Sequence, residues 1–393
     1  MNVYFKISIL IFLVLLMSCT NRRNDAVPSN EYISIPIHNV EKNGIDSLIK
    51  EFEVIPLETN DSSLIGSIHQ LYMTDKYFYI VNGRMDKVCI FDMKGKFVNS
   101  IKNKGKGPNE YISINNFEID IHHRKLLLSD SFSKRIFIYD ETGNLQKTLS
   151  LDFIPYQIVP AGNGMFFNLY AGSNKCYEDE KLESYHVHVM DSLGRIFKTM
   201  LPDQTLKRIN LKSSFTTNYM PDGAVLYNPI LSDTIYKISP DSVSPLYVFR
   251  NMSDFKLPSV RERKDISYVY GVCNDYERLE ESGYLLSWGG FLHTDNYLFF
   301  TFGWDTKLCL IYSKNNHCSK MISFSDIKKS NHPLVRILLK RSPFTADNDW
   351  FYTSVDALDI EMSSEDMNHI DKLKFGNIKP GDNPVLVRYK INF

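Results

Sequence analysis

Lys87-Val88-Cys89-Ile90-Phe91-Asp92-Met93-Lys94-Gly95-Lys96-Phe97 is followed by two near copies of itself. They are Arg135-Ile136-Phe137-Ile138-Tyr139-Asp140-Glu141-Thr142-Gly143-Asn144-Leu145 and His186-Val187-His188-Val189-Met190-Asp191-Ser192-Leu193-Gly194-Arg195-Ile196. Asp92, Asp140 and Asp191 recur with a period of about fifty residues, the mark of a repeat architecture. Each copy runs from strand-forming residues through Asp-x-x-Gly into strand-forming residues again. Aspartate at the first turn position hydrogen-bonds the backbone ahead of it, and glycine at the fourth takes positive φ and forms a bulge. Each copy therefore predicts a hairpin. Weaker copies without the aspartate stand at 234–238, 308–312 and 385–389, which makes six. A strand-like run precedes each, at 77–81, 125–129, 165–169, 224–227, 297–302 and 350–355. A further apolar run lies before those, as in Phe117-Glu118-Ile119-Asp120-Ile121. Four antiparallel strands per unit and six units predict an all-β, six-bladed β-propeller.

Two segments, 250–285 and 324–342, break the period and read as short helical insertions near blade five. A propeller must also close, because an open ring leaves an unpaired strand edge. The run Phe52-Glu53-Val54-Ile55-Pro56-Leu57-Glu58 precedes blade one and has no hairpin partner. It is predicted to be the outermost strand of the last blade, where the missing N–H of Pro56 is harmless.

Composition agrees with a large folded core. Of 393 residues, 43% are hydrophobic and 13% aromatic, which excludes a disordered chain or a coiled coil. Lys plus Arg is 45 against 46 Asp plus Glu, so no basic excess points to nucleic acid.

The first residues are a different kind of polymer. Lys6 is followed by an apolar run over 7–17, too short to span a bilayer and suited to a secretory signal peptide over 1–18. The sequence Leu16-Met17-Ser18-Cys19 resembles a bacterial lipobox, which makes Cys19 the acylated first residue of the mature chain. Two or more acyl chains hold a protein firmly on a membrane. Residues 19–45 then read as the lipidated N-terminus and a tether, and 46–393 as the propeller. No aspartate follows Cys19, which by resemblance to lipoprotein sorting rules favours the outer membrane. Five cysteines remain (Cys89, Cys176, Cys273, Cys309, Cys318), an odd number without a C-x-x-C pair. Neither a disulfide framework nor a zinc site is suggested.

Gly105-Lys106-Gly107-Pro108-Asn109-Glu110-Tyr111 matches a recurrent G-x-G-P-x-E-[YF] element without a gap. Together with Ile55-Pro56-Leu57-Glu58, the first hairpin and the lipobox, it resembles the six-bladed β-propeller lipoproteins of Bacteroides-type bacteria, which are NHL-like. The resemblance spans roughly residues 45–393 and implies fold and compartment more than chemistry.

Strand order locates candidate ligand contacts. In a four-stranded blade, the loop between the second and third strands lies on the same face as the connection to the next blade. Asn82, Asp130 and Asn228 follow second strands, and the run holding Gly105, Gly107, Pro108, Glu110 and Tyr111 is an interblade connection. All are expected on one face near the channel mouth. Asn82, Glu110, Asp130 and Asn228 are also the right types for calcium, which takes six to eight oxygens. His186 and His188 alternate on one strand, share a face and are a weaker metal candidate. Trp288, Phe291, Trp304 and Tyr352 suit either sugar stacking or blade core. No nucleophile-elbow, zincin or P-loop sequence occurs. The expectation is a lipid-anchored envelope module binding a protein or carbohydrate ligand. The alternative is a metal-dependent NHL-like or lactonase-like enzyme with a cation at the channel mouth.

Overall fold

The structure is a computed structural model that describes residues 32–169, 177–179, 181–202, 218–220, 222–229, 231–257, 282–303, 308–363, 365–376 and 378–393. The expected signal peptide, Cys19, Cys176, Cys273, Trp304 and residues 258–281 of the first expected insertion lie outside these.

The chain enters through β1 (Ile33–Ile37) and β2 (Ile49–Ile55), both outer strands of later blades. Blade one then follows as β3 (Ile68–Met73), β4 (Tyr77–Asn82), β5 (Val88–Asp92) and β6 (Phe97–Ile101). Blade two holds β7 (Asn116–Asp120), β8 (Lys125–Asp130), β9 (Arg135–Asp140) and β10 (Leu145–Ser150). Blade three holds β11 (Gln157–Gly162), β12 (Met165–Leu169), β13 (Tyr185–Met190) and β14 (Ile196–Pro202). Blade four holds β15 (Asn218–Tyr219), β16 (Val225–Tyr227), β17 (Thr234–Ile238) and β18 (Val243–Asn251), and β1 is added outside β18. Blade five holds β19 (Ser287–His293), β20 (Tyr297–Phe302), β21 (Leu308–Ser313) and β22 (Cys318–Ser323). Blade six holds β23 (Thr345–Asp347), β24 (Trp350–Val355) and β25 (Val385–Ile391), completed by β2. The molecule is thus the six-bladed propeller that the repeat predicts.

The repeated motif works as its residue types require. Asp92 Oδ1 accepts the amides of Lys94 (2.9 Å) and Lys96 (2.8 Å), and Asp140 and Asp191 do the same in their turns. Gly95, Gly143 and Gly194 follow with φ of 81°, 90° and 84°. The middle strands are covered on both sides and so read as unbroken apolar runs, such as Phe78–Val81. Buried side chains form six clusters, one at each junction between neighbouring blades. The cluster joining blades six and one holds Tyr352 and Leu386 with Phe78, Ile80, Cys89 and Phe91. The outer rim is stitched as well. Asn99 donates to Thr142 O (2.7 Å), Lys147 to Ser192 O (3.2 Å) and Lys198 to Pro240 O (2.9 Å). Each of these joins an outermost strand to the hairpin turn of the following blade.

Closure comes from the N-terminus. β2 pairs antiparallel with β25, with Phe52 opposite Tyr389 and Val54 opposite Val387. The expected segment was 52–58; the strand is Ile49–Ile55, and Pro56 falls just past its end. Part of the segment expected as a tether, 19–45, is folded instead, because β1 pairs parallel with β18, Ile35 opposite Phe249. Ile35 and Ile37 are fully buried, so the alternating Ile-Ser-Ile-Pro-Ile run gains more from packing than from solvation. The Glu41 amide then donates to Met321 O (2.8 Å) in blade five, and Asp46 accepts from Ser330 and from the Asn331 amide (3.0 Å). Residues 33–55 therefore strap blades four, five and six together.

The second insertion is helical as expected, with α1 (Phe324–Lys328) and α2 (Pro333–Leu338). Two further helices, α3 (Ala357–Ser363) and α4 (His369–Phe375), replace a tight turn inside blade six and were not anticipated. Asn368 caps α4 by accepting the Asp371 amide (2.9 Å). Among the described residues no helix is long and apolar enough to cross a membrane.

Candidate ligand cavity at the channel mouth

Antiparallel strands alternate direction, so each blade puts its loops on two opposite faces. One face carries the connections between blades and the corners after the second strands. The other carries the turns that join innermost to second strands.

The residues singled out in the sequence all belong to the connection face, where Asn82, Asp130, Asn228 and Tyr111 are buried and Glu110 is exposed. Asn82 Oδ1 accepts the amides of Asp86 (3.1 Å) and Lys87 (3.2 Å). Asp130 is fully buried and accepts from the amides of Ile112 (2.8 Å) and Phe132 (3.0 Å) and from the Ser133 hydroxyl (2.7 Å). Asn228 donates to Thr234 O (2.8 Å) and accepts from the Ser287 hydroxyl. Glu110 accepts the Gly107 amide (2.8 Å), and Tyr111, also fully buried, donates to Asp86 O (2.7 Å). Gly107 and Pro108 offer their carbonyls to Arg135 (3.2 and 3.4 Å). A Cβ at Gly105 would stand 1.9 Å from Glu110 Oε2, the end of an exposed side chain that can turn aside. These residues satisfy backbone groups at the corners of buried strands, which is what buried polar side chains most often do.

The two histidines are also part of the scaffold. His186 and His188 are buried rather than solvated. His188 Nε2 donates to Leu182 O (2.8 Å), and Nδ1 accepts from the Tyr177 hydroxyl (2.9 Å). Burial holds its pKa below the usual histidine value. Cys89 and Cys309 are buried free thiols, and burial pushes Cys309 up to about 12. Among the described residues no three His, Cys, Asp or Glu side chains converge on one point.

The cavity lies at the opposite mouth. It has a volume of about 580 Å³ and takes residues from five blades. The ends of β3, β7, β15, β19 and β23 supply Tyr72, Ile119, Tyr219, His293 and Asp347. Asp347 and Asn348 are presented by a hairpin whose two central residues, Asn348 and Asp349, have φ of 44° and 68°. This is the backbone sign that a tight two-residue hairpin demands, and Asn and Asp tolerate it. Asn218 bridges β15 and β19, donating to Phe291 O (2.9 Å) and accepting the His293 amide (2.8 Å). A smaller cavity of about 300 Å³ adjoins, sharing Thr74, Asp75, Ile119 and Ile121. Of the aromatic residues singled out earlier, Tyr352 lines the large cavity and Phe291 belongs to the blade core.

His293 forms one wall and is neutral. Its Nε2 accepts from the Lys314 ammonium (2.9 Å) and the Tyr247 hydroxyl (3.0 Å). Burial and the adjacent Lys314 charge push it down to about 3. Burial also brings Lys314 down to about 8, against the pull of Asp295 and Asp349. Beneath the cavity, Glu118 is fully buried and accepts from Tyr72 (3.2 Å) and Gln157 (3.4 Å). Burial, and then the charge of Glu118, hold the Tyr72 and Tyr219 phenols protonated.

The sequence matches the family model of a domain of unknown function, DUF4934, over residues 33–390, and the chain belongs to that family. No curated protein matches it. Among solved structures it is similar to a Bacteroides fragilis protein inferred to be exported, at 19% identity and a TM-score of 0.72, covering 92% of this chain and 100% of that one. It is also similar to a DUF4221 family member from Bacteroides vulgatus, at 10% identity and a TM-score of 0.53, covering 88% and 97%. At such identities the likeness is one of fold.

Proposed function

We propose that the protein is a lipid-anchored binding module of the cell envelope, an NHL-like propeller that receives a small ligand at the mouth where its innermost strands end. The observation that carries this reading is the cavity of about 580 Å³, built by five blades. Its size is that of small-molecule sites, and its lining mixes apolar side chains such as Ile119, Ile121 and Leu292 with converging polar ones. The envelope location rests on the lipobox at Cys19, which marks this chain for export and acylation.

Ile121 supplies the test. It is 51% exposed and lines both cavities, so a larger side chain there obstructs the mouth without disturbing the core. A thermal-shift screen of envelope saccharides, peptides and small metabolites is expected to yield ligands whose effect disappears in Ile121→Trp. Ligands that bind this variant unchanged would move the site elsewhere. Calcium included in the screen separates the metal-dependent alternative, which requires a cation to raise the melting temperature. For the anchor, Cys19→Ala is expected to release the protein from membranes and abolish palmitate labelling. Unchanged partitioning would sink the lipoprotein reading.

A further inference from the structure

The charges that face this cavity are unbalanced. Among the described residues its one lining guanidinium, Arg388, is already engaged. Arg388 donates from Nε (2.9 Å) and Nη2 (2.6 Å) to Glu53 and stacks over the Trp350 ring at 4.6 Å. Lys314 stands behind His293 and donates to it and to Thr294 O. The carboxylates are differently placed. Asp347 is exposed and, among the described residues, accepts only from the side-chain amide of its neighbour Asn348 (3.0 Å). Asp75 has 72% of its side chain exposed, and its nearest cation, Arg124, is 3.6 Å away and shared with Glu141. Among the described residues, the rim charge left without a close cation of its own is therefore negative.

The floor offers acceptor oxygens. Tyr72 gives its proton to Glu118, so the phenol oxygen offers lone pairs rather than a donor. The Tyr219 hydroxyl lies in the field of Glu118 and is buried with no hydrogen-bond partner among the described residues. Buried hydroxyls are almost always paired, with water or ligand where protein does not serve. The rings of Tyr72, Tyr219 and Tyr352 all line the cavity, and aromatic faces attract cations.

We propose that the cavity selects a small organic cation carrying a primary amine, received by the acidic rim of Asp75 and Asp347 over a tyrosine floor backed by Glu118. This rests on the cavity being a ligand site, and it adds the charge of the ligand.

Three probes with one four-carbon skeleton test it by calorimetric titration: putrescine, 1,4-butanediol and succinate. The expected result is binding of putrescine in preference to the other two, weakening as salt is raised. Asp347→Asn should weaken putrescine binding by about twofold to fivefold, the effect of one exposed ion pair. Asp75→Asn should act in the same direction, and Ile121→Trp should abolish binding. Both aspartates are at the exposed rim, so neither variant threatens folding. Equal or tighter binding of butanediol or succinate, lost in Ile121→Trp, overturns the cationic preference while the cavity stands as a ligand site. Putrescine binding that ignores both aspartate variants overturns it too. If none of the three probes binds, the cationic preference is overturned, while the ligand reading of the cavity is decided separately by the screen against Ile121→Trp.

Discussion

A chain that begins at residue 56 should fail to form a stable ring, whereas one that begins at residue 32 should melt like the mature protein. The difference is β2. Without it β25 becomes an open edge, and the cluster joining blades five and six loses Leu48 and Phe52. Phe52 is only 5% exposed, stacks on Phe375 with ring centroids 5.7 Å apart, and lies under the Lys374 ammonium at 4.2 Å. Phe52→Ala alone should cost about 3–5 kcal/mol. Removing the strand also removes its whole ladder, so the truncated chain should be mostly unfolded or self-associated at 37 °C. An intermediate truncation beginning at residue 42 loses β1 but keeps the clasp, and should lower the melting temperature far less. Thermal unfolding with size-exclusion chromatography ranks the three. If chains starting at 42 and 56 melt together, β2 is not what closes the ring.

The fold was legible in the sequence because its rules are local and repeated. Asp92, Asp140 and Asp191 declare their turns by chemistry, and the doubly covered middle strands declare themselves by unbroken apolar runs. Blades four to six lack the aspartate yet keep those runs, which was enough to count them. Pairings between distant segments were less legible. Phe52 could be assigned to the last blade only because a ring has to close somewhere. Nothing local marked Ile33–Ile37 as a parallel partner of β18, more than two hundred residues away. Helices α3 and α4 were hidden because each is only about two turns long and shows large apolar residues, Leu358, Met362, Ile370 and Leu373, to solvent. That reverses the amphipathic pattern by which a packed helix is recognised.

The site was legible only as a class of residue. Asn82, Asp130 and Asn228 stand out in the sequence because polar side chains at strand ends are conspicuous, and they are conspicuous because buried corners need them. The cavity residues carry no such local sign. Tyr72, Tyr219, His293 and Asp347 are scattered over almost three hundred positions, and only ring closure brings them to one mouth. A weak signal was present in Thr74-Asp75 and Thr294-Asp295, both turns between innermost and second strands. Their threonines do serve the turns, accepting the amides of Tyr77 (3.2 Å) and Tyr297 (2.9 Å). Turn chemistry therefore explained them fully before any ligand had to be invoked.

The repeated glycine offers the second large effect, because one position in the motif carries the closure as well as the turn. Gly95, Gly143 and Gly194 share positive φ, so alanine at any of them incurs about 1–2 kcal/mol of left-handed strain. What a new Cβ meets differs. At Gly143 it meets side-chain carbons, the Ile90 Cδ1 methyl at 3.0 Å and the Ile101 Cγ1 methylene at 3.2 Å. At Gly194 it meets Leu151 Cδ2 at 2.6 Å, again the end of a side chain that can turn. At Gly95 it meets backbone, Pro56 O at 2.0 Å and Pro56 C at 2.9 Å. Pro56 continues the closing strand, and the chain just beyond it is fixed to the same turn. The Glu58 amide donates to Gly95 O (2.8 Å), and Glu58 Oε2 accepts the Phe97 amide (3.0 Å). Gly95→Ala must therefore push the clasp away from blade one and break this exchange, adding about 1–3 kcal/mol to the strain. Chemical denaturation of the three alanine variants should place Gly95→Ala well below the other two, with Gly143→Ala and Gly194→Ala close together. Pairing Gly95→Ala with Phe52→Ala should then cost less than the sum of the two, since both loosen one seam. Equal midpoints for all three glycine variants would mean that the turn alone sets the cost, and that the closing strand does not bear on Gly95.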